Sequence, residues 1–154
     1  MEVYGGGPFS NEAGLAFLDD IACCVPAHQR REVLEDLFFQ VEDRPHLLGG
    51  DWFPEGVVAA VAIVAACLPG SEGIRQELTS FGYEAAVIMP DGADFALSAS
   101  ALRALLLAAG RDGPWHATRT NPQDVAQARE TTDQLAAILI SEQYAQDQQL
   151  PLQL

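Results

Sequence analysis

Residues 57–68, Val-Val-Ala-Ala-Val-Ala-Ile-Val-Ala-Ala-Cys-Leu, are twelve apolar positions in a row, with no polar face at a helical or a strand period. A helix that is apolar all round has to be surrounded by protein. Strands buried on both faces seldom run past about eight residues, so this run, bounded by Pro54 and by Pro69-Gly70, reads as helix. It also falls well short of the roughly 20 residues that cross a bilayer. The chain is therefore expected to fold around one central helix, whose alanines let its neighbours come close.

The remaining periodicity supplies those neighbours. A first helix is expected from Ser10 or Asn11 through Cys24, with Leu15, Leu18, Ala22 and Val25 on one stripe and Asp19 and Asp20 on the polar side. Pro26 ends it. A second, about Ala27 to Val41, turns Val33, Leu34, Leu37, Phe38 and Val41 inward, while Glu32, Glu35, Asp36, Arg30 and Arg31 lie on or near the other face. After the core helix, residues 71–94 read as an irregular connection with one short helix at Ile74–Phe81 and an extended stretch at Ala85–Met89. A fourth helix, capped by Ser98 or Ser100, carries Leu102, Leu105, Leu106 and Ala109. Asn121-Pro122 opens the last, which presents Val125, Ala128, Thr132, Leu135, Ile138 and Leu139 before a glutamine-rich tail. The expectation is an all-α fold: one compact bundle of about five helices over residues 1–145, an irregular Gly/Pro turn at its start, and a polar tail at 146–154.

Charge narrows the partners. The chain carries 22 acidic side chains against 8 basic ones, a formal charge of −14, and every basic residue is arginine. A surface of that sign repels phosphates, so neither nucleic acid nor an anionic membrane is an expected partner. A basic protein is, because complementary fields steer association. Three cysteines, Cys23, Cys24 and Cys67, imply no disulfide framework. Without a signal-like start, the reading is cytoplasmic.

The run Tyr4-Gly5-Gly6-Gly7-Pro8-Phe9-Ser10-Asn11-Glu12, followed by Phe17-Leu18-Asp19-Asp20-Ile21, resembles the opening of the bacterial domain-of-unknown-function 4259 family. That opening reads Trp-Gly-x-Gly-Pro-Phe-x-Asn-Asp before an Ala- and Asp-rich helix. Gly5, Gly7, Pro8, Phe9 and Asn11 match it, Tyr4 replaces its Trp and Glu12 its last Asp. The resemblance implies a small helical bacterial protein and supplies no catalytic residue. On physical grounds the motif is structural: glycines for the turn, Phe9 as a staple into the core, and Ser10 or Asn11 as the helix cap.

No motif carries chemistry. Glycines before a helix suggest a phosphate cradle, but there is no preceding strand, no Walker-type Lys, and Glu12 stands where a phosphate would be repelled. His28, His46 and His116 are too far apart in sequence for a ligand motif, so no metal and no cofactor is expected. Trp52-Phe53 and Trp115-His116 fall in loops, where large aromatics either plug the ends of a bundle or anchor a partner. The leading expectation is a non-catalytic adaptor of immunity or antitoxin type, binding a basic protein through acidic helix surface, including Asp19 and Asp20, with Trp52, Phe53, Trp115 and His116 as anchors. The alternatives are a small-ligand binder or enzyme with its pocket between the N-terminal turn and the Trp115 loop, and a self-associating module that forms a homodimer.

Overall fold

A computed structural model describes residues 7–9, 12–48, 54–109 and 122–149. Seven α-helices and no β-strand occur among the described residues: α1 (Glu12–Cys23), α2 (Ala27–Asp43), α3 (Pro54–Ala66), α4 (Glu72–Ser80), α5 (Ala85–Ile88), α6 (Phe95–Ala109) and α7 (Pro122–Gln149). A 3-10 turn at Pro45–Leu47 follows α2. The all-α bundle stands, but the expected five helices become seven.

Helix α3 is the axis. Every one of its residues but Gly56 is buried. Helices α1 and α6 are its main neighbours; α4 and α7 also touch it, α2 lies chiefly on α6, and α7 packs on α6 and α3. Helix α6 buries Ser98, Ala101, Ala104, Ala108 and Ala109 alongside Leu97 and Leu105, so small side chains on both helices shorten the distance at which the backbones meet. From α1, Leu18 and Ile21 close the core; from α2, Leu34, Phe38 and Val41 do so. Phe9 is fully buried and meets Phe81 edge-on with ring centroids 6.4 Å apart.

Two expectations need correction. Residues 85–88 are a helical turn rather than an extended stretch: the Glu84 carbonyl accepts the backbone N–H groups of Val87 and Ile88. The segment 71–94 therefore holds two helices. Helix α6 starts at Phe95 and is capped by Asp94, whose Oδ1 accepts the Leu97 N–H at 3.0 Å. Ser98 is buried inside that helix and donates back to the Asp94 carbonyl at 2.8 Å. Asp94 competes better because its carboxylate accepts an orphan N–H at the positive helix end. Helix α7 runs as far as Gln149.

Helix ends are tied by side chains. Ser71, fully buried, donates to the carbonyls of Ala66 and Leu68 at the end of α3. Gly82, at φ +90, closes α4: its N–H reaches the Thr79 carbonyl while the Tyr83 N–H reaches that of Leu78. This is the glycine-dependent Schellman arrangement. Arg30 does more than either. Its Nη2 donates to the Ala22 carbonyl (2.9 Å), its Nε to Val25 (3.0 Å), and its Nη1 to Val87 (3.1 Å) and Ile88 (2.8 Å). One guanidinium thus satisfies free carbonyls at the ends of α1 and α5 together, with a fork that an ammonium group lacks.

Arg30→Lys is accordingly expected to lower unfolding stability by about 2–4 kcal/mol. Arg75→Lys, in an exposed ion pair with Glu72, should change it by no more than about 0.5 kcal/mol. Urea unfolding of the two variants side by side checks this. Equal, small effects would show that the Arg30 bonds contribute little.

Candidate protein interface

Of the residues singled out in the sequence, Trp52, Phe53, Trp115, His116, Gly5 and Asn11 lie outside the described residues. Asp19 and Asp20 do not, and both are exposed on α1. They form a corner with the end of that helix. Tyr83 Oη donates to Asp19 Oδ1 at 2.5 Å and stands 3.7 Å from Cys23 Sγ. The Asp19 carboxylate, and after it the Cys23 thiol, push the Tyr83 phenol well above its ordinary range. Asp20, one turn before Cys24, raises that thiol by hydrogen bond and by charge. Both Asp-Cys pairs are i, i+4 neighbours, and the Asp20 carboxylate favours the protonated form of the Cys24 thiol. A protonated thiol is a poor nucleophile. The third thiol, Cys67, donates to the Ile63 carbonyl and is pushed up to about 11 by burial.

Concave surface is modest. One open cleft of about 430 Å³ lies among Cys67, Arg75, Thr79, Glu84 and Met89. A second, of about 380 Å³, is lined by Ala22, Arg30, Tyr83 and Ile88 among others. Neither Asp19 nor Asp20 lines these clefts or the groove beside α2. Among the described residues no group of three or more His, Cys, Asp or Glu side chains is placed to hold a metal ion, and no helix is long and apolar enough to cross a membrane.

The distinctive surface is the outward face of α2. Positions 32, 35, 36, 39 and 43 recur at helical spacing, and place Glu32, Glu35, Asp36, Phe39 and Asp43 together, all exposed. Phe39 stands 66% exposed among these acids, while its neighbour Phe38 is wholly buried. Successive residues on a helix point about 100° apart, so only one ring of a Phe-Phe pair can enter the core. Phe39, Glu35 and Asp36 border a groove of about 420 Å³ whose other wall is Ala96, Leu97 and Ser100 of α6. Sequence reasoning misses this aromatic because the hydrophobic stripe runs through Phe38; the doubled Phe is the available signal.

Cations near this face are paired with carboxylates at the surface. Arg31 Nε donates to Glu35 at 2.6 Å, and its Nη2 reaches both oxygens of Asp94 at 2.9 Å. The Arg31 guanidinium, with the Leu97 N–H, holds the Asp94 carboxyl below the usual carboxylate range. Arg103 pairs with Glu42, and Arg44 lies 3.6 Å from Asp43. The chain matches no family model, no curated protein and no solved structure.

Replacing Asp20 with Asn removes the charge that disfavours the Cys24 thiolate. Cys24 is then expected to react faster with a thiol reagent at neutral pH, with Cys67 the slowest of the three thiols in either protein. Mass-resolved alkylation rates measure it. An unchanged Cys24 rate would show that Asp20 does not govern that thiol.

Proposed function

We propose that this protein is a non-catalytic binding protein, an adaptor or inhibitor of immunity or antitoxin type, that engages a basic protein partner through the outward face of α2. The observation that carries the reading is the disposition of charge. Five of the six described arginines have partners on this chain: Arg30 has backbone carbonyls, and Arg31, Arg44, Arg75 and Arg103 have carboxylates in exposed pairs. Glu32 and Asp36 stay exposed beside Phe39, and neither is ion-paired with an arginine among the described residues. Carboxylates such as these attract a cationic surface over distances of about the Debye length, roughly 8–10 Å in physiological salt.

The aromatic anchor in this reading is Phe39, an apolar side chain in a charged rim, which is the usual make-up of an energetic centre in an interface. The resemblance to the domain-of-unknown-function 4259 family is retained as part of the proposal, supported by the Gly7-Pro8-Phe9 turn, whose phenylalanine enters the core.

The test is affinity capture from a bacterial lysate with the immobilised chain and with a variant carrying Glu32→Gln, Glu35→Gln and Asp36→Asn. The expected outcome is a basic protein retained at low salt, released at high salt and lost from the variant. Absence of any salt-sensitive partner, or equal retention by the variant, would contradict the reading.

A further inference from the structure

Phe39 is not alone in solvent. Tyr144 is 66% exposed, Ile140 50% and Phe95 40%. The fold brings these four toward one region. Phe39 and Ala96 border the same groove, and Phe95 precedes Ala96 at the first position of α6. The Gln143 side-chain amide donates to the Phe95 carbonyl at 3.5 Å. That contact sets Gln143 of α7 beside the start of α6; Tyr144 follows it in the chain, with Ile140 one turn earlier, and both are exposed. Exposed apolar side chains thus stand on α2, at the start of α6 and on α7, with α6 packed against both other helices.

We infer that this strip seats an amphipathic basic helix, its apolar stripe on Phe39, Phe95, Ile140 and Tyr144 and its Lys or Arg side chains against Glu32 and Asp36. The inference rests on the reading that the acidic α2 face is the working surface, and specifies the class of partner. Packed helices lie 8–10 Å apart, so crossing from α2 over α6 to α7 covers about 20 Å, the length of a helix of about 14 residues. A β-strand partner would need an exposed sheet edge, and no strand occurs among the described residues. Exposed apolar strips rimmed by charge mark interaction sites, and the sign of the rim selects the occupant. A second copy of the chain, itself at −14, would set Glu32, Glu35 and Asp36 against like charges. An anionic membrane meets the same repulsion.

The probe is a synthetic Leu/Lys peptide of about 18 residues with leucines spaced i, i+3, i+4, i+7. Its control is an isomer of the same composition whose leucines form no stripe. Both are titrated by fluorescence anisotropy against the full chain and against a Phe39→Ser, Tyr144→Ser variant, two exposed positions where the core is untouched. The amphipathic peptide is expected to bind the chain at least about tenfold more tightly than its isomer, and the variant to abolish that difference. Equal, salt-sensitive binding of both peptides would overturn the helix-seating inference and leave the acidic reading in place. Binding of neither would remove both. A free chain that sediments as a dimer, dissociated by the same two substitutions, would assign the strip to a second copy and overturn the inference.

Discussion

Helix α3 has no polar side, so each of its faces has to be covered by another element, and the rest of the chain is arranged to do that. Helices α1 and α6 take its two largest contacts, and α4 and α7 its smaller ones. Because α3 is built from Ala, Val and a single Ile beyond its first turn, it gives its neighbours a slender surface, and α6 answers with alanines of its own. Close packing of small side chains leaves little room for added volume, which makes this the part of the molecule least tolerant of change.

Covering a central helix with short elements multiplies helix ends, and every end presents free carbonyls or N–H groups. The chain meets that need with few devices. Arg30 serves two helices, Ser71 closes α3, Asp94 opens α6, and Gly82 turns the chain so that Tyr83 reaches Asp19. A consequence for function follows from the arginines. Drawn into caps and ion pairs, they do not offset the carboxylates that stay in solvent, so the acidity apparent in composition becomes a property of particular faces. On α2 that face has an aromatic at its centre.

The legible parts of the sequence are those with long, uniform patterns. Residues 57–68 favour helix because twelve apolar positions between prolines are long for a strand, despite the β-branched valines, and the inward stripes of α1 and α2 follow from spacing. Local competition is harder to read. Ala85–Ile88 carries Val87 and Ile88, which favour extended backbone, yet the turn closes on Glu84 and its carbonyls are covered by Arg30 from 57 and 58 residues away. No local pattern shows an acceptor that distant, and in sequence Arg30 looks like one more surface charge. Ser98 resembles a cap because its position in the leucine pattern is right; Asp94, four residues earlier, already holds the helix end. At the interface, Glu32, Glu35 and Asp36 are visible as a polar face, whereas Phe39 disappears beside Phe38.

The proposed working surface lies on α2 and its neighbours rather than in the clefts about α4 and α5, or at the Asp19 corner. Mapping backbone amide shifts by NMR, as the basic amphipathic peptide is added, tests that most directly. The shifts should fall in Glu32–Asp43, Phe95–Ser100 and Ile140–Tyr144, with Glu72–Ile88 and Asp19–Cys24 unmoved. Shifts centred on Glu72–Ile88, with α2 silent, would contradict it.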